Sequence, residues 1–122
     1  MSPFYKVVAV VDGRLVSPLA SDSWQVEYRP GKPAHARVGK LFVFDDLEGA
    51  WEFVLREELS EVQVWTCEVG NPEPLERVPV QAWEEFWAGE EVETYRVEPC
   101  FVADSVTLRE IVAVVHEFWE VG

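Results

Sequence analysis

The chain has 122 residues, 48% of them hydrophobic and including six Trp and seven Phe, with a formal net charge of −13 at pH 7. One compact domain, 1–122, is the natural reading of that length, and so much aromatic and β-branched content excludes a disordered chain. The charge disfavours direct binding of nucleic acid or an anionic membrane, and the longest apolar run, Val7 to Val11, falls far short of the ~20 residues a membrane-spanning helix needs.

Taken in chain order, "PFYKVVAVV" (3–11) is β-branched and aromatic and predicts a strand. "DGR" (12–14) signals a tight turn, from which "LVS" (15–17) returns as the second strand of a hairpin. After a further turn at "SDS" (21–23), "WQVEY" (24–28) alternates Trp24, Val26 and Tyr28 against Gln25 and Glu27, the pattern of a half-buried strand. "RPGKPAHARVG" (29–39) holds two Pro and two Gly and reads as a loop, and "KLFVF" (40–44) as a short buried strand.

A helix is predicted over about 46–58. Asp45 followed by Glu48 resembles a capping box, and Leu47, Ala50, Trp51, Val54 and Leu55 recur at helical spacing. "EVQVWTCEV" (61–69) alternates as a strand, "GNPEPLERVP" (70–79) reads as a loop, and "VQAWEEFWAG" as a second short helix, about 80–88, ending at Gly89. "VETYRVEPCFVAD" (92–104) suggests extended segments interrupted by Pro99. Helical spacing and β-branched content conflict in the run from Ser105, and its Val and Ile density favours a strand. The fold class expected is therefore α+β: a mainly antiparallel sheet of about six strands with two short helices on it.

Charge is distributed unevenly. Residues 1–40 carry six Lys/Arg against Asp12, Asp22 and Glu27, whereas 41–122 carry four against twenty acids. Arg29, Lys32, Arg37 and Lys40, with His35 among them, fall inside the Gly/Pro-punctuated loop. One reading is an anion or nucleotide site, in which Tyr28 and Arg29 stack a base, the guanidinium takes a phosphate, and Gly31 and Gly39 admit close approach. The other is neutralisation of the acidic body, within the chain or across a homodimer.

The acidic, aromatic segment 81–93 is the second candidate surface. Trp83, Phe86 and Trp87 leave little room for all to face inward, so Trp83 and Trp87 with Glu84, Glu85, Glu90 and Glu91 are candidates for docking on a basic protein patch. Catalytic signals are weak. The chain has two His on unrelated segments and no nucleophile, phosphate-loop or metalloprotease motif, and its acid pairs (Asp45/Asp46, Glu57/Glu58, Glu84/Glu85, Glu90/Glu91) have the character of solvated faces. Cys67 and Cys100 lack a metal-ligand pattern and read as reduced thiols in apolar settings, so neither metal nor cofactor is expected.

The order "YKVVAVVDGRLVS", "VEYRPG", "GKLFVFDDLEGAWEFV" and "VWTCEVGNPEPL" resembles small uncharacterised proteins found among bacteriophage hypothetical genes, over roughly residues 5 to 90. The Gly–hydrophobic–Phe entry into an acid-capped helix with Ala50 also looks like part of the ADP-ribosyltransferase-type sheet. The nicotinamide-site Arg or His and the catalytic Glu of that family have no counterpart here, so this likeness implies a related scaffold, with an ADP-ribosyltransferase-like enzyme as the remote alternative. The phage resemblance implies a non-enzymatic accessory factor, a host-defence inhibitor that occludes a basic surface of a host protein. Sequestration of a phosphorylated nucleotide by the basic loop is the alternative. The N-terminus "MSPFYKVVAVVDG" has no signal-peptide pattern, so a cytoplasmic location, that of the host cell if phage-encoded, is expected.

Overall fold

The computed structural model describes residues 4–18, 25–37 and 39–116. The expected turn at 21–23 and the strand start at Trp24 lie outside the described residues. The elements are β1 (Phe4–Val11), β2 (Arg14–Val16), β3 (Glu27–Tyr28), β4 (Ala34–His35), β5 (Leu41–Val43), α1 (Leu47–Arg56), β6 (Val62–Gly70), β7 (Glu73–Pro79), α2 (Trp83–Trp87), β8 (Thr94–Ala103) and β9 (Ser105–Val115). They build a six-stranded sheet, β3-β2-β1-β6-β9-β4, and a three-stranded sheet, β5-β8-β7, antiparallel throughout. The chain is α+β, as composition and patterning indicate.

The β1–β2 hairpin follows from its turn residues. Val11 pairs with Arg14, and Asp12 and Gly13 between them take φ of 51° and 76°, the doubly left-handed turn that matches strand twist. Beyond it, both faces of the large sheet bury apolar side chains. On one, Val7, Val62, Val64 and Val115 pack with Phe44 and with Ala50 and Val54 of α1. On the other, Val8, Cys67, Val106 and Leu108 pack with Leu41, Val43 and Ala103 of the smaller sheet, together with Val26, Tyr28 and Ala34. Strand alternation assigns neighbours such as Val7 and Val8 to opposite cores.

Helix α1 begins one residue later than the capping pattern suggests. Asp46, not Asp45, is the N-cap, and its Oδ1 accepts from Gly49 N at 2.6 Å. The Asp46→Ala variant is expected to lose about 1 kcal/mol of stability, read as a lower urea midpoint with unchanged slope. The apolar stripe is also narrower than its spacing implies: Leu55 is 46% exposed, while Phe53 packs on Phe44 with ring centroids 5.4 Å apart.

Several expected loops are extended. Residues 73–79, read as loop, form β7, an edge strand of the small sheet, where Pro74 and Pro79 need not donate to a second neighbour. The loop 29–39 contains β4, which pairs Ala34 with Val106 and His35 with Ser105. Among the described residues of the expected 24–28 strand, Glu27 and Tyr28 form β3 and pair with Val16 and Leu15, and Val26 O accepts from Ser17 N at 3.0 Å. Strand β8 continues through Pro99, and the ladder absorbs it by a register shift: Leu75 faces Cys100, but Arg77 faces Arg96. The ambiguous C-terminal run is strand β9 to Val115, because β6 and β4 supply neighbours for its β-branched residues. Among the described residues, no helix is long and apolar enough to cross a membrane.

Candidate functional site

The basic loop is held to the sheet edge by its backbone. Arg29-Pro30-Gly31-Lys32 closes a turn in which Lys32 N donates to Arg29 O at 3.0 Å and Gly31 has φ of 81°. Gly31 N then donates to Leu108 O at 2.9 Å, docking the turn on β9 just beyond the β4 pairing. The predicted anion set is not assembled as one cradle. Tyr28 points into the core and is 2% exposed, so it offers no stacking platform to a loop ligand. Arg29 lies 3.8 Å from Glu27, and Lys40 Nζ lies 2.8 Å from Glu73 and 3.7 Å from Asp104. The hydrogen bond that Lys40 donates to Glu73 is the main cause holding its ammonium above its ordinary range. Lys32, His35 and Arg37 remain exposed. Gly39 does allow a close approach, but to the chain's own Trp87: a Cβ there would sit 2.5 Å from the indole Cγ.

The acidic segment forms the tip of the β7–β8 hairpin. Val80 N donates to Glu93 O at 3.0 Å, closing a connection whose five acids (Glu84, Glu85, Glu90, Glu91, Glu93) are accompanied by no Lys or Arg. Helix α2 has only five residues, and its N-cap, Ala82, is left-handed with no side-chain cap bond. Tertiary packing holds it: Trp87 lies 5.9 Å from Phe42 and 5.1 Å from Phe86, ring to ring. Trp87 is thus a half-buried anchor of the tip to β5, and the carboxylates of Glu84, Glu85, Glu90 and Glu91 are what the tip exposes. Trp83 contributes its backbone to α2, and its side chain lies outside the described part. The ion pairs of the described residues engage other acids: Glu27, Glu57, Glu61, Glu68, Glu73 and Asp104.

A third group of polar side chains was not singled out by motif. Lys6 is 5% exposed inside the second core; its Nζ donates to Phe42 O at 2.8 Å and lies 5.6 Å from the Tyr28 ring centroid. Burial pushes its ammonium down to about 8, with Cys67 opposing that shift weakly. Burial likewise pushes the Cys67 thiol up to about 12 and raises the Tyr28 phenol above its usual range. Among the described residues the buried Tyr28 hydroxyl makes no close hydrogen bond, and the nearby Ser17 hydroxyl, whose Oγ accepts from Val26 N at 3.1 Å, only moderates the rise of the phenol. A signal existed in the sequence: alternation along "FYKVV" puts Lys6 on the same face as Phe4 and Val8.

The remaining titratable groups are dispersed. His35 and His116 are both exposed, on β4 and after β9, and His116 has Nδ1 3.8 Å from Glu61. Cys100 is a half-buried free thiol raised by burial, and its Sγ faces Leu75 O at 3.8 Å. Among the described residues, no group of three His, Cys, Asp or Glu side chains is placed to hold a metal ion. No family model, curated protein or solved structure matches the chain.

Proposed function

We propose that the chain is a non-catalytic binding protein that covers a basic surface of another protein with the acidic tip of its β7–β8 hairpin. The observation carrying this reading is the exposure of Glu84, Glu85, Glu90 and Glu91 on a connection without any basic residue. Trp87, flanked by Phe86, packs the tip against Phe42 of β5, so the carboxylates are presented on a supported element. Such an arrangement favours fast, salt-sensitive association with a cationic partner. On the phage resemblance, the partner is a host protein and its occlusion is inhibitory, with the host cytoplasm as the setting.

The test is quantitative capture from a host lysate by immobilised protein, followed by titration of the captured protein. Reversing the four charges (E84K, E85K, E90K, E91K) is expected to lower affinity at least about tenfold, whereas Arg29→Ala with Arg37→Ala leaves it unchanged. The opposite pattern, with a nucleotide retained in native mass spectrometry and lost in the loop variant, would replace this reading with sequestration of a phosphorylated ligand.

A further inference from the structure

Residues 41–122 hold four basic side chains, Arg56, Arg77, Arg96 and Arg109, against twenty acids. The fold sets two of the four directly opposite each other: Arg77 of β7 pairs with Arg96 of β8. Paired residues of an antiparallel ladder share a face, with Cβ atoms about 5 Å apart, and like charges placed so are destabilising. Both side chains are exposed. Among the described residues, neither guanidinium lies within ion-pair distance of a carboxylate, whereas Arg56 has Glu57 and Arg109 has Glu68. A chain this rich in acids has no shortage of counter-charges, so the facing pair calls for another explanation.

Arg77 is also held in one orientation. Its Nε donates to Thr94 Oγ1 at 2.9 Å and its Nη2 to Thr94 O at 3.0 Å, with Thr94 two residues before Arg96 on the same strand. Two of its five guanidinium N–H groups are thereby engaged, and the outer ones are available beside Arg96. Alternation along β7 puts Leu75 on the same face as Arg77, and Leu75 pairs with Cys100. Burial raises the Cys100 thiol, and the nearby guanidinium of Arg56, at the end of α1, opposes that rise. Three of the four basic residues beyond position 40 thus gather around one face of the small sheet.

We propose that Arg77 and Arg96 together bind the phosphate group of a small phosphorylated molecule. Two fork-shaped cations side by side match a tetrahedral dianion, whose oxygens accept from both. A carboxylate, with one charge and two oxygens, is satisfied by a single fork. The bonds to Thr94 give the Arg77 fork the fixed orientation that a binding site needs. Charge limits the size of the ligand. The twenty acids beyond residue 40, among them the tip carboxylates of the same hairpin, repel an extended polyanion such as nucleic acid. A single phosphate is spared most of that repulsion, since charges beyond about 8 Å are screened at 0.15 M salt. The basic loop is not part of this site, because Arg29 and Lys40 turn to Glu27, Glu73 and Asp104. This inference does not rest on the acidic-tip reading.

Two-dimensional NMR of the arginine side chains in the full chain tests it. On titration with inorganic phosphate, against chloride at equal ionic strength, the Nε–H resonances of Arg77 and Arg96 are expected to shift and to half-saturate at about 1–10 mM. Those of Arg14 and Arg109, which face Glu27 and Glu68, stay in place. Arg96→Gln keeps the Arg77 resonance as a reporter and raises the half-saturation concentration at least about tenfold. Arg77→Gln does the same, read at Arg96. Both positions are exposed, so circular dichroism should show both variants folded. A parent whose Arg77 and Arg96 resonances show no shift beyond the chloride control, at about ten times that concentration, overturns the proposal. So do Arg14 and Arg109 resonances that move as far as that of Arg77, or an Arg77 shift that Arg96→Gln leaves intact.

Discussion

Lys6→Met unfolds at a higher urea concentration than the parent at pH 7, and the difference closes as the pH rises above about 8. Lys6 sits in the core with its folded-state pKa lowered from 10.5 to about 8 by burial. Below about 8 the folded protein must hold an ammonium that water would solvate better, so the full penalty is present there. Between about 8 and 10.5 the unfolded chain binds more protons than the folded one, and stability rises with pH. Cys67 acts in the opposite sense: its thiol ionises near 9.0 when unfolded and about 12 when folded, so stability falls as pH rises through that window. The Lys6 contribution is therefore clearest between pH 8 and 9.

The size of the effect follows from the same shift. A lowering of this extent corresponds to about 3 kcal/mol at neutral pH, and loss of the Nζ hydrogen bond to Phe42 O offsets about 1 kcal/mol. Met has a similar unbranched shape and no charge to desolvate, so a net gain of about 2 kcal/mol is expected at pH 7. Urea titrations of both proteins at pH 7, 8, 9 and 10 read it directly. A variant less stable than the parent at pH 7 would mean that the Phe42 contact outweighs the cost of burying the ammonium.

Gly39→Ala destabilises the fold by about 2–4 kcal/mol, while Gly31→Ala costs about 1 kcal/mol. Both glycines have left-handed φ, 67° and 81°, so both substitutions carry a conformational penalty. Their surroundings differ. Nothing lies within 4 Å of a Cβ at Gly31, whereas one at Gly39 would be 2.6 Å from Trp87 Cε2. The indole cannot move away without losing its packing on Phe42, which holds α2 and the acidic tip to β5. Equal losses from the two variants would show that the Trp87 contact carries little energy.

The elements most legible in the sequence were those whose own residues demand them. Asp12-Gly13 dictates a hairpin, the Ala50 and Val54 spacing a helix, and the alternation of 62–69 a strand. Strand β7 was not legible because Glu73, Pro74, Glu76 and Pro79 give it neither alternation nor β propensity; it is extended because β8 lies beside it. Similarly, β3 and β4 pair only two residues each, too few for periodicity to register. For the candidate surfaces, residue type identified the exposed acids of 84–91, but the composition of 28–40 said nothing of direction. Tyr28 turns inward to Lys6, while Arg29 and Lys40 turn to Glu27, Glu73 and Asp104.

By itself, the sequence determined the fold class, the charge imbalance between its first forty residues and the rest, and the sites of its tight turns and longer helix. These depend on local chemistry: side-chain periodicity, positive-φ turn residues, and the count of ionisable groups. Only the tertiary structure decided that the chain splits into two sheets, that Gly39 receives Trp87, and that Lys6 is entombed beside Tyr28 and Cys67. Each is a relation between segments far apart along the chain, set by which strand lies beside which, and no local pattern carries that information.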